Sequence, residues 1–138
     1  MSAQRIEFTV LGPPVPLARV RFSRSTRIDG GGVRAYKRKQ VADYQRVVAQ
    51  VAYAAVHAWT RRHDAQWRGD GVFHVQAKFY CKDRRRRDLD NLLKCVMDAL
   101  QPGVYDDDSQ VWAVSAERHI DRDKPRAELV VSRLADPA

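Results

Sequence analysis

Long apolar runs are missing from this 138-residue chain. No stretch approaches the roughly 18 residues that a membrane-spanning helix needs, so no membrane association is expected. The first residues, Met1 to Arg5, lead into a strand-like stretch rather than the apolar core of a secretory signal, which predicts a cytoplasmic location. Cysteine is scarce: Cys81 and Cys95 stand in no zinc-binding pattern and read as packing residues rather than a disulfide. Glutamate is nearly absent, with 3 Glu against 14 Asp, and lysine is outnumbered by arginine, 6 to 19. A helical surface built only for solubility would use Glu and Lys. Asp favours caps, turns and metal sites, and Arg grips phosphate through paired hydrogen bonds.

What is present suffices for a folded domain. Hydrophobic residues make up 44% and charged residues 30%, enough for a core and too much apolar material for a disordered chain. One domain over residues 1–138 is expected, with a loose tail from about 134 to 138 marked by Pro137. The net charge of +8 points to a polyanionic partner, nucleic acid first. The excess is uneven, since residues 1–69 carry +9 and residues 70–138 carry −1.

Ile6, Phe8 and Val10 alternate with polar or small residues as in a half-buried strand that Gly12-Pro13-Pro14 ends. Arg19 to Ser25 and Val33 to Tyr36 flank a Gly-rich tip, which suggests a hairpin. Val41, Tyr44, Val48, Val51, Ala55 and Trp59 recur at helical steps and predict a helix from about Arg38 to Arg61. A turn at Gly69-Asp70-Gly71 precedes alternating Phe73, Val75, Ala77 and Phe79, a strand that runs into the charge block Lys82 to Asp90. Leu89, Leu92, Leu93, Val96, Met97 and Leu100 predict a second helix, closed by Pro102-Gly103. Two further strands follow, over Val111 to Ile120 and around Ala127 to Val131. The order predicts a single small mixed α/β (α+β) domain: a mixed sheet with two main helices.

The chemistry concentrates between residues 83 and 111. Arg84, Arg85, Arg86 and Arg87 stand directly beside Asp88, Asp90 and Lys94. An isolated basic run reads first as a solvated face or a localisation signal, but this one lies at a strand-to-helix junction, where function concentrates. Asp88 is placed to cap the helix, and Asp90 and Lys94 are i and i+4 on one face, where an ordinary ion pair contributes only about 0.3 to 0.5 kcal/mol. A second acidic group, Asp106-Asp107-Asp108, follows a helix length later. Magnesium takes a few carboxylates and completes its shell with water and phosphate oxygens, so three carboxylates converging across the short helix would make such a site, with Lys94 able to polarise a scissile phosphate.

The segment DRRRRDLDNLLKCVMDALQPGVYDDDSQV, Asp83 to Val111, closely resembles the signature of the RusA family of Holliday junction resolvases, small magnesium-dependent DNA endonucleases common in phages and prophages. The match includes RDLDNL, the lysine that follows, the D-A-L helix end and the D-D-S-Q-V close. The resemblance implies that Asp88, Asp90 and Asp108 are metal-binding catalytic carboxylates, with Asp107 matching a second Asp of the closing motif, of which only one member need reach the metal, that Lys94 is the essential lysine, and that Arg87 contacts DNA. It implies a homodimer with Mg²⁺, for which Mn²⁺ is a possible substitute, acting on branched DNA whose near two-fold symmetry a dimer matches. After the first strand, Pro14-Val15-Pro16-Leu17-Ala18-Arg19-Val20-Arg21 keeps the prolines and both arginines of a pattern found in many relatives, but has Leu17 for a lysine and Val20 for a proline.

The expected function is therefore paired, symmetric nicking of four-way junctions in DNA recombination and repair, with Arg84 to Arg87, Arg19, Arg21 and the basic stretch Arg24 to Arg38 positioning phosphates. Two alternatives stand beside it. One is a non-catalytic nucleic-acid-binding module in which the aspartates only cap helices and balance charge; the other is a nuclease with a broader taste for branched DNA. Trp67 and Phe22 are candidates for stacking on bases, although burial is the simpler reading of both, and the last strands or the Gly-rich hairpin are candidate dimer contacts.

Overall fold

The computed structural model describes residues 3–17 and 32–134, with side chains from residue 38 in the second stretch. Strand β1 (Arg5–Leu11) is followed by helix α1 (Gly32–His63), strand β2 (Val72–Cys81), helix α2 (Leu89–Ala99), a 3-10 turn (Asp108–Gln110), and strands β3 (Val111–Ile120) and β4 (Arg126–Leu134). The four strands form one sheet in the order β1-β4-β2-β3. β4 runs antiparallel to both β1 and β2, while β2 and β3 are parallel neighbours joined through α2. This is the expected single mixed α+β domain, and no helix among the described residues is long and apolar enough to cross a membrane.

Alternation dictates which face of the sheet is covered. Ile6, Phe8 and Val10 of β1, Phe73, Val75, Ala77 and Phe79 of β2, and Ala127, Leu129 and Val131 of β4 are buried together with Tyr44, Val48, Ala52 and Trp59 of α1 and Leu92, Cys95 and Val96 of α2. Both helices therefore lie on one face. The other face carries Arg5, Glu7, Thr9, Gln76, Lys78, Ser115, Glu117 and Glu128 and stays polar. Cys81 and Cys95 are buried free thiols, and burial pushes the Cys95 thiol up to about 12, which makes it inert at neutral pH.

Three expectations change. Val33 to Tyr36, expected in a hairpin, lie in α1, which starts six residues before the expected Arg38; the other arm, Arg19 to Ser25, lies outside the described residues. Leu134, placed at the start of a loose tail, closes β4, and residues 135–138 lie outside the described residues. The last two strands do not form a common edge either, because β4 sits inside the sheet and β1 and β3 are its borders.

Aromatic contacts carry the packing from α1 to the segment that precedes the 3-10 turn. Trp59 meets Trp67 edge-on at 5.4 Å between centroids, Trp67 lies 6.3 Å from Phe73, and Phe73 lies 5.6 Å from Tyr105. Trp67 is buried and donates its Nε1–H to the Val104 carbonyl at 2.8 Å, so it is a packing residue rather than a base-stacking platform. Gly71, in the turn before β2, holds φ at +94°, a conformation that favours glycine. Because Leu92 is fully buried where α2 meets the sheet, Leu92→Ala should destabilise the fold by about 2 to 5 kcal/mol, measured by urea denaturation.

Candidate active site

The site grows out of the unit β2-α2-β3. β2 delivers the chain at Cys81, residues 82–88 turn it, and α2 starts at Leu89 with its apolar side, Leu92, Cys95 and Val96, against the sheet. Asp90 and Lys94 are consequently exposed on the outer side. Asp88 occupies the N-cap position in extended conformation, yet its side chain makes no capping hydrogen bond. Its carbonyl accepts from the Asn91 and Leu92 amides at 3.1 Å each, and its Oδ2 faces Asn91 Nδ2 at 3.5 Å. Capping therefore does not account for this carboxylate. Both acids lie at the positive end of the helix dipole, which favours negative charge.

The basic run is less uniform than its sequence. Arg84, Arg85 and Arg86 are exposed, whereas the Arg87 side chain is 14% exposed and turns inward to pair with Asp83 at 2.8 Å. Asp83 also accepts the Arg85 amide at 3.0 Å. The Arg87 guanidinium and that amide hold the Asp83 carboxyl below the usual aspartate value of 3.8. From β3, Arg118 donates to the carbonyls of Arg85 and Arg87 at 2.6 and 3.2 Å. Arg87 thus supports the turn while its three predecessors face solvent. On the same side of the chain, the Leu17 amide donates to the Asn91 carbonyl at 3.2 Å, which ties the end of the proline segment to the first turn of α2. Arg19 and Arg21, beyond it, lie outside the described residues.

The second acidic group sits elsewhere. Tyr105 donates its hydroxyl to the Met97 carbonyl at 2.8 Å and fixes the following segment against the last turn of α2. Asp107 is spent locally: its carboxylate accepts from the Ser109 amide and hydroxyl, while its amide donates to Gln110 Oε1 at 2.8 Å, a capping box. Those Ser109 bonds hold Asp107 below 3.8. Gln110 in turn donates to the Gly69 and Gly71 carbonyls at 2.8 and 3.0 Å, at the start of β2. Asp108 is exposed, and its amide donates to Gln101 Oε1 at 3.1 Å.

The expected convergence of Asp88, Asp90 and Asp108 does not occur within the chain. Among the described residues, no three His, Cys, Asp or Glu side chains gather into a group able to hold a metal ion. The reason is topological: Asp88 follows the C-terminal end of β2 and Asp108 precedes the N-terminal end of β3, with the 11 residues of α2 between them, about 16 Å of helix. The carboxylate that Asp108 does influence is Asp98. Burial raises the Asp98 carboxyl above 3.8, Lys94 opposes the rise, and Asp108 adds to it. Asp90, Lys94 and Asp98 are successive i+4 steps along α2. Asp98 was visible in sequence only as part of the D-A-L helix end; its spacing from Lys94 was the available signal.

Residues 12–132 match the family described as endodeoxyribonuclease RusA. The chain belongs to the RusA family. The match runs from the turn after β1 into β4 and contains the whole β2-α2-β3 unit. RusA proteins are DNA endonucleases that resolve Holliday junctions and act on branched DNA, so the exposed acids beside a basic turn belong to a nuclease. No curated protein matches the chain.

Because the folded value of Asp98 is raised, its carboxyl favours the folded state at pH below its unfolded value and loses that contribution as pH rises through the folded one. In the metal-free protein, NMR titration should place the Asp98 midpoint above 3.8 and those of Asp83 and Asp107 below it. Asp98→Asn should accordingly raise Tm more at pH 7 than at pH 3; equal gains at both would contradict the assignment.

Proposed function

We propose that this RusA-family endonuclease uses a divalent cation, Mg²⁺ with Mn²⁺ as substitute, to make paired symmetric nicks in four-way DNA junctions as a homodimer. The observation that carries the reading is the pairing of Asp88 and Asp90 at the N-terminus of α2 with three outward arginines on the turn immediately before it. The donors suit a hard cation in kind, since they are carboxylate oxygens. In number, the first turn offers two, and magnesium commonly takes one or two carboxylates beside water and substrate phosphate.

Asp88 and Asp90 would hold the ion; Asp108, the third carboxylate that the family resemblance implies, stands at the far end of α2 from them in this chain and would not share that ion. The bound ion would supply Lewis acidity and a more acidic water. The chain's own groups do the rest. Arg84, Arg85 and Arg86 bind backbone phosphates and orient the strand. Lys94, one turn beyond Asp90, faces solvent and is placed to bind the scissile phosphate and offset the charge that builds on it. The Asp83–Arg87 ion pair and the Arg118 hydrogen bonds brace the turn, which would reduce the entropy lost when DNA binds.

The homodimer reading is supported by β3. It is a border strand of 10 residues on which Trp112, Val114 and Ile120 are 64%, 51% and 42% exposed, and exposed apolar border strands are templates for pairing. Antiparallel pairing of two copies about Ala116 would oppose Val114 to Arg118, Ser115 to Glu117 and Ala113 to His119, with no like charges facing each other.

Two outcomes are expected. In magnesium, the wild-type protein nicks a synthetic junction in a paired manner, while Asp90→Asn binds it with unchanged affinity and cuts at least about 100-fold more slowly; normal cutting by Asp90→Asn would remove it from the site. In light scattering, the wild type has twice the 15.8 kDa chain mass, and Val114→Arg, which sets a like charge opposite Arg118 in that pairing, shifts it towards the monomer.

A further inference from the structure

We infer that Arg118 is a positioning residue for junction recognition, acting through the turn 83–88 rather than by touching DNA. The inference rests on the function proposed above. Arg118 lies on β3 opposite Phe79, so its side chain rises on the helix-covered face of the sheet. There it crosses to the turn and donates from Nη2 to the Arg85 carbonyl at 2.6 Å and from Nη1 to the Arg87 carbonyl at 3.2 Å. One guanidinium thereby clamps two alternate carbonyls of the four-arginine run.

The geometry sorts the five arginines into two jobs. Asp83 holds Arg87 and the Arg85 amide from within the turn, and Arg118 holds the carbonyl side from the neighbouring strand. With the backbone clamped at 85 and 87, Arg84, Arg85 and Arg86 are presented outward, the Arg85 side chain 83% exposed. Four consecutive arginines repel one another, so without the clamp the turn would spread. A spread turn still attracts any phosphate backbone, but it no longer offers a fixed constellation to the bent strands of a junction. The clamp also fixes the residue immediately before Asp88. Lysine cannot replace this arginine, because a single ammonium lacks the planar fork that reaches both carbonyls.

The test measures dissociation constants of the full-length protein for a four-way junction and for plain duplex, without divalent cation, at several salt concentrations. The proteins are wild type, Arg118→Lys, the triple variant Arg84→Ala/Arg85→Ala/Arg86→Ala, and their combination. Arg118→Lys should lower the junction-over-duplex preference roughly ten-fold, the scale of losing charge-assisted hydrogen bonds. The duplex affinity and its salt slope should stay the same, because no phosphate contact is lost. In magnesium the loss should appear in KM rather than kcat. In the triple-variant background the effect of Arg118→Lys should vanish, since the two act as one unit. An unchanged preference, or the same loss in the triple background, would overturn the inference. Arg118→Gln, which also lacks the five-donor fork, serves as second variant if the lysine form does not fold. A wild type with no junction preference would instead refute the functional reading on which the inference rests.

Discussion

The outward face of α2 is set by its inward one. Leu92, Cys95 and Val96 are fully buried against the sheet, and Leu100 follows them just beyond the helix. Helical geometry then leaves Asp90 and Lys94 no direction but solvent. The same burial decides where Asp88 stands, at the mouth of the helix with a carboxylate that does not cap it. Turning α2 so that Asn91, Lys94 and Cys95 faced the sheet would bury a charge, at a cost that no surface ion pair recovers. The placement of the chemistry is thus enforced by hydrophobic packing several ångströms away from it.

A second layer of constraint holds the turn before α2. Asp83, Arg87 and Arg118 form a network whose members are charged yet bind the protein's own carboxylate and carbonyls rather than a ligand. The basic excess of the chain therefore has two uses. Some guanidinium groups are structural clamps, as Arg126 also is between Asp121 and Glu128 at 2.9 and 3.0 Å, and others, Arg84 to Arg86, are exposed. The aspartate surplus divides likewise. Asp83, Asp107 and Asp121 accept hydrogen bonds that lower their proton affinity and brace turns, while Asp90 and Asp108 carry exposed side chains.

Much of this was legible in the residues themselves. The stripe Val41, Tyr44, Val48, Val51, Ala55 and Trp59 and the alternation Phe73 to Phe79 announce α1 and β2 because periodic burial is a local property. The start of α1 was not legible, since Gly32 to Arg38 carry no apolar stripe. Strand order was not legible either: nothing in Arg126 to Leu134 tells that β4 enters between β1 and β2. Within the site, Asp88, Asp90, Lys94 and the arginine run stood out by composition. The inward turn of Arg87, the clamp from Arg118 and the separation of Asp88 from Asp108 depend on the β2-α2-β3 crossover, which brings distant residues together and keeps sequence neighbours apart. Asp107 and Asp108 look alike as a pair of letters, yet one is consumed by a capping box and the other is exposed.

A nuclease that selects branched DNA and cuts it with carboxylate-held metal must discriminate between DNA structures in the presence of that metal. The most direct measurement is a competition in magnesium between a labelled four-way junction, a fork and plain duplex of matched length. The expected result is rapid conversion of the junction into two nicked duplexes while the duplex and fork stay largely intact. Cleavage of all three at similar rates, or no cleavage of any of them, would contradict it.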